Sequence, residues 1–290
     1  MRIELAGSLV IPDPMILRFT SDATFDTLKY IDLGYTHFDI ICIGGGGGMG
    51  GGIDTANSGT LIKSFGGAGG GGGFHRVRGL LSALPDTCPI VVGLGGAVGT
   101  QHVSDPALTT DGEDGGTSSF HTNTCRASGG MGGKRVQSNS ETVSTQANGG
   151  EGGVGNRTNP GGGDPGGVAG TPSATGPGTP GTGGTDGTFI NNVGKGGGGG
   201  AGGVGKYGGV ALNAATAGGR GAYNPGDTSV YGPGGSPSND PVTGALNIVP
   251  GGASGAKTAP ITGLPTLYGQ SKGAYLPGDP GIVVIRLTAE

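Results

Sequence analysis

Phe38-Asp39-Ile40-Ile41-Cys42-Ile43 opens directly onto Gly44-Gly45-Gly46-Gly47-Gly48-Met49-Gly50. The first six residues are rich in β-branched and aromatic side chains and read as a strand. The next seven cannot form a helix of any length, because glycine loses the most backbone entropy on ordering. The same junction recurs. Pro89-Ile90-Val91-Val92-Gly93-Leu94 runs into Gly95-Gly96, and Gly281-Ile282-Val283-Val284-Ile285-Arg286-Leu287 lies near the C-terminal end. Met15-Ile16-Leu17-Arg18-Phe19 follows a turn at Pro12-Asp13-Pro14, with Ile3, Leu5 and Leu9-Val10-Ile11 before it. Residues 28–33 alternate without a clear period. One short helical piece is predicted, around His75–Leu84. The expected fold is all-β with little or no helix: a small β-sandwich-like platform carrying a long glycine-rich region.

Composition narrows the function. Of 290 residues, 74 are Gly and 19 Pro, about 32% against a usual pair content near 12%. Leu, Ile, Val and Phe together stay just under a fifth of the chain, too little for a conventional α/β enzyme of this length. With 16 Lys plus Arg and a formal net charge of −4, the chain lacks the basic face of a nucleic-acid binder. No apolar window approaches the 18 or so residues of a membrane span. Glu4 and the prolines at 12 and 14 break the apolar run that a signal peptide needs. Cys42, Cys88 and Cys125 are odd in number and form no C-x-x-C pair, so they read as buried thiols of a protein made in a reducing cytosol.

The apolar residues are unevenly spread. Residues 1–125 and the last ten hold most of them, whereas residues 126–280 are poor in them. The expected division is a short docking segment (1–35), a β platform (36–125 with 281–290) and a glycine-rich distal region (126–280). The period of Gly178, Gly181, Gly184 and Gly187 soon fails, which excludes a collagen helix. Two readings remain for the glycine stretches. One is a flexible linker. The other is a bundle of extended, three-residue-per-turn helices packed side by side, which glycine permits because there is no Cβ to separate the backbones. The bundle is favoured, since a linker has no need of some 150 residues interspersed with Val, Phe and Tyr. Such a bundle calls for many segments, and for several chains to supply them.

Motifs that carry chemistry are weak. Gly45–Gly50 satisfies G-x-G-x-x-G after a strand, but a dinucleotide site needs a helix at once, and Gly51-Gly52-Ile53-Asp54 cannot begin one. No Walker-type Gly-Lys-Ser/Thr occurs, so no cofactor is expected. Cys88 or Cys125 can be paired on paper with His75, His102 or His121, with no signature around them. The acidic stretch Asp111-Gly112-Glu113-Asp114 reads as a solvated turn, with Ca²⁺ binding as the alternative. The four histidines show no ligand spacing, and no metal is expected. Tyr207, Tyr223, Tyr231, Tyr268 and Tyr275 lie in the glycine-rich half. They read either as contact residues, since Tyr offers apolar area and a hydroxyl, or as space-fillers at turns.

Five ordered elements resemble a known family. They are Phe38–Gly48; Pro89–Gly99; Gly115-Gly116-Thr117-Ser118-Ser119-Phe120; Ala127-Ser128-Gly129-Gly130-Met131-Gly132-Gly133; and Pro280–Leu287. In this order and spacing the chain resembles the glycine-rich minor tail and tail-tip proteins of bacteriophages. The resemblance implies a non-enzymatic structural protein of the virion, made in the host cytoplasm. It further implies other tail proteins and the host cell surface as partners, and trimeric assembly. It departs from the family at the front, where only about 35 residues precede the domain. A cellular glycine-rich surface or ice-binding protein is the alternative, but the regular repeat and paired cysteines expected of one are missing.

Overall fold

A computed structural model describes residues 11–54, 63–64, 66–100, 108–122, 124–135, 148–157, 159–162, 189–195 and 277–289. It gives the backbone alone at 53–54, 63–64, 189 and the short strands at 206–207, 210–211, 222–224, 227–231, 236–239 and 246–249. The fold is all-β, built on two antiparallel sheets. Ten strands compose them: β1 (Met15–Phe19), β2 (Ala23–Asp26), β3 (His37–Ile43), β4 (Phe74–Leu80), β5 (Thr87–Val91), β6 (Ser118–Phe120), β7 (Cys125–Ala127), β8 (Phe189–Ile190), β9 (Val193–Gly194) and β10 (Ile282–Thr288). One sheet has the order β1-β10-β3-β4-β9-β8 and the other β2-β5-β6-β7. The last strand thus returns to the centre of the first sheet, setting Val284 opposite Ile41 and Arg286 opposite Asp39.

Alternation along the strands decides what lies between the sheets. Phe38, Ile40 and Cys42 of β3, with Val283, Ile285 and Leu287 of β10, pack against Phe25, Cys88, Ile90, Phe120 and Cys125. The rings of Phe25 and Phe120 meet edge to face at 5.6 Å, and Phe25 stacks on Tyr30 at 4.9 Å. On the opposite face of the first sheet, Ile41, Ile43, Phe74, Ile282 and Val284 are buried as well.

Two local expectations change. The piece around His75–Leu84 is not a helix: residues 74–80 are strand β4, followed by a single 3₁₀ turn, Leu81–Ala83. Full pairing of β4 with β3, from Phe74 opposite Ile43 to Leu80 opposite His37, outweighs the local helical pattern. The helix lies instead in the ambiguous stretch, as α1 (Thr27–Asp32). Its signals are an Asp26 carboxylate that accepts the Lys29 N–H at 3.1 Å, and Gly34 in the left-handed region at φ +90°.

Six of the sheet strands continue into glycine segments, and seven such segments pack into a rod. They are 44–51, 66–73, 93–100, 109–117, 128–135, 148–155 and 277–281, and all run along one axis. The segment 44–51 is central. Gly44, Gly47 and Gly50 donate to Gly73, Gly70 and Gly67, while Gly45, Gly48 and Gly51 donate to Gly116, Glu113 and Thr110. Gly46 donates to Asp279, and the carbonyls of Gly46 and Met49 accept from Gly96 and Gly99. The carbonyls of Gly45 and Gly48 accept from Gly130 and Gly133. A partner that changes with each residue and recurs every third is the signature of the extended threefold helix, not of a pleated strand, whose period is two. One chain supplies all seven segments. Several chains are unnecessary because the six segments from 44–51 to 148–155 run outward and back in turn, and 277–281 returns beside 93–100. Four segments precede residue 126, because the chain interleaves glycine runs with strands from the start.

Candidate functional site

Glycine is obligatory within the rod for a steric reason. A Cβ on Gly47 would lie closer than 3.0 Å to the backbone of Met131, on Gly48 to that of Ala97, and on Gly70 to that of Glu151. Most side chains therefore appear where a helix faces away from its neighbours, with Met49 and Ala68 buried inside the rod as exceptions. On segment 93–100 these positions are Leu94, Ala97 and Thr100, all exposed, with buried Gly93, Gly96 and Gly99 between them. Segment 109–117 exposes Asp111, Glu113 and Asp114, segment 128–135 exposes Lys134, and segment 148–155 exposes Glu151. Three residues per turn at a rise of about 3.1 Å spaces each row by roughly 9 Å. The rod thus holds rows of side chains on a stiff, mostly neutral backbone.

The far end of the rod is where the chain reverses. Segments 44–51, 93–100 and 128–135 leave the sandwich, and 66–73, 109–117, 148–155 and 277–281 return to it. The connections from 51 to 66, from 100 to 108 and from 135 to 148 therefore begin and end at the tip. A short ladder there pairs Ile53 with Ser64 and Asp54 with Lys63. Loops held by a rigid scaffold are the usual place for recognition.

The motifs singled out above resolve as follows. Gly45–Gly50 is the rod's central helix and meets no helix N-terminus. The stretch 111–114 is extended rather than a turn, and its carboxylates serve the neighbouring segment. Asp111 accepts from the Lys134 ammonium and the Arg135 N–H, both at 2.9 Å, and Asp114 accepts from the Gly132 N–H at 2.8 Å. Burial raises the pKa of Asp111, but the Arg135 N–H and Lys134 outweigh it, and the carboxyl stays below its usual value. Among the described residues no group of three or more His, Cys, Asp or Glu converges as a metal site.

Of the Cys–His pairings, Cys125 and His75 come together. The Cys125 sulfur lies 3.4 Å from the His75 carbonyl oxygen, and His75 Nδ1 accepts the Arg126 N–H at 3.2 Å. His102 lies outside the described residues, and His121 Nδ1 is engaged by the Thr124 hydroxyl at 3.1 Å. All three cysteines are free and fully buried. Burial pushes the Cys42 and Cys88 thiols up from their usual range. A substrate has no route to any of these sulfurs. Native protein should therefore leave Ellman's reagent unreacted until denaturant is added. A thiol that reacts rapidly in the folded state would contradict this packing.

Of the tyrosines, Tyr207, Tyr223 and Tyr231 fall in short strands described by backbone alone, and Tyr268 and Tyr275 lie outside the described residues. Sequence reasoning missed the ion cluster on the first sheet. Asp39 Oδ1 accepts from Arg76 Nε at 2.8 Å, its Oδ2 accepts from Arg76 Nη2, and Arg78 Nε adds a contact at 3.2 Å. The signal was present: Asp39 interrupts an apolar strand, and Arg76 and Arg78 sit two apart on another, so each alternation projects its charges to one face. Among the described residues no helix is long and apolar enough to cross a membrane.

A search of curated proteins finds no match to the chain. The pattern of a glycine-rich domain matches residues 20–288. That span takes in nine of the ten sheet strands, all but β1, and all seven glycine segments. The chain belongs to the glycine-rich domain family.

Proposed function

We propose that the protein is a non-enzymatic structural component of a bacteriophage tail tip or tail fibre, one that touches the host surface through the end of its glycine rod. One observation carries the reading: both sheets extend on one side into a single glycine-helix rod, at whose far end the chain reverses. A surface-contact protein needs that polarity, with a packed base for attachment and a slender tip for recognition. The rod suits an exposed position. Its backbone N–H groups are spent on neighbouring carbonyls, and Lys and Arg, the targets of trypsin-like proteases, are scarce in it. The ordered motifs shared with phage tail proteins point the same way. Neighbouring tail proteins are the partners at the base, and a homotrimer fits the threefold symmetry usual at tail tips.

The test is immunogold labelling of purified particles from a host carrying this gene, with mass spectrometry of the same particles. Label at the tail end is the expected result. Particles that lack the protein would overturn the reading. Light scattering of the purified chain adds a check on assembly, with a mass three times 27.7 kDa expected for the trimer.

A further inference from the structure

Register places three charged residues in a row on the outer face of the first sheet. Arg286 of β10 stands opposite Asp39 of β3, which stands opposite Arg78 of β4. With His37, Gly79 and Thr288 they line an open cleft of about 330 Å³. His37, Leu80 and Thr288 are the strand ends away from the glycine segments, so the cleft lies at the end of the sandwich opposite the rod.

The charges in the cleft do not balance. Arg76, 6% exposed, binds Asp39 through two N–H groups, and that pair is neutral by itself. Arg78, with 59% of its side chain exposed, adds one Nε–H to a carboxylate that is already neutralised. Arg286 has no ion-pair partner among the described residues. Two guanidinium groups are thus in surplus, in a chain whose formal net charge is −4.

Geometry selects the kind of anion. Arg286 and Arg78 sit two strands apart, about 10 Å between Cα atoms at the usual strand spacing of about 4.8 Å. Asp39 stands between them, and its carboxylate oxygens offer no hydrogen-bond donor to a single anion centred there. Two separate carboxylates, one on each arginine, straddle Asp39 instead. An extended peptide with acidic residues at alternate positions provides that arrangement, since residues i and i+2 share a face about 7 Å apart. Each guanidinium can then engage a carboxylate through two parallel hydrogen bonds.

We propose that this cleft is a docking site for an acidic, extended peptide segment of a partner protein. The inference stands on the cleft alone and does not depend on where the protein works. In a tail particle this end, opposite the tip, faces the rest of the assembly.

The test uses the full-length protein and a blocked six-residue peptide of alternating glutamate and glycine, titrated calorimetrically at low salt. Binding is expected to weaken at least fivefold in Arg78→Gln and in Arg286→Gln, and to fall as salt is raised. The matching glutamine–glycine peptide is expected not to bind. Thermal melts of both variants should match the parent; Arg78 is exposed, so its variant keeps the test valid if Arg286→Gln is destabilised. Absence of binding by the parent protein would overturn the proposal. So would unchanged affinity in Arg78→Gln. Displacement of the peptide by inorganic phosphate at equal ionic strength, with the same arginine dependence, would make this a phosphate site and overturn it as well.

Discussion

Gly47→Ala is expected to destabilise the protein by at least about 3 kcal/mol, at the upper end of overpacking costs, and to lower Tm by roughly 6–12 °C. The new Cβ would lie closer than 3.0 Å to the Met131 carbonyl group, whose carbon and oxygen are backbone atoms. A side chain so placed usually escapes by rotation or by a small backbone shift. Neither is open here. Alanine has no rotamer to change, and Gly47 donates to Gly70 while Met131 itself donates to Glu151 and accepts from Gly70. Moving one helix apart breaks hydrogen bonds to several others at once. Leu94→Ala is the matched control, because Leu94 is 77% exposed on the same rod; it should fall within about 0.5 kcal/mol of the parent. Calorimetric melts of the two variants decide the matter. A Gly47→Ala protein as stable as the parent would show that the rod is loosely packed and that glycine is dispensable at its centre.

Asp39→Asn should cost about 3–5 kcal/mol, the range for removing one partner of a buried ion pair. Arg76 is 6% exposed and would keep its charge beside a neutral amide. Replacing both members, Asp39→Leu with Arg76→Met, should recover most of that loss, because the desolvation cost goes with the charges. The same pair sets an acid limit. Burial raises the pKa of Asp39, but the Arg76 hydrogen bonds and charge, with Arg78 behind them, outweigh it and hold the carboxyl below 3.8. A depressed carboxylate contributes its full stability above the unfolded value, near 3.9, and loses it as pH falls through the lower folded value. Stability measured from pH 5 downward should therefore drop more steeply in the parent than in Asp39→Asn. Parallel slopes would place the acid sensitivity elsewhere.

Much of the fold was legible in the residues. Phe38–Ile43, Met15–Phe19 and Gly281–Leu287 carry enough β-branched side chain to name their strands, and the glycine runs after them admit few ordered states besides an extended helix. Local pattern was misleading where tertiary pairing dominated, as in β4, whose seven-residue register with β3 outweighs its helical period. The short helix α1 had its Asp26 cap and Gly34 stop in plain view, yet its apolar residues showed no clear period.

The sequence by itself determined that this chain is all-β and that its glycine stretches can pack only where backbones touch, because composition limits which side chains exist to fill space. The tertiary structure alone decided that one chain closes the rod. Hydrogen-bond partners spread over 44–281 follow from how strands are ordered in two sheets, and no local period encodes that order. It also decided that Asp39, Arg76, Arg78 and Arg286 converge. Charges 39, 76 and 286 residues along a chain become neighbours only when register aligns their strands, and register is fixed by the burial of the opposite faces.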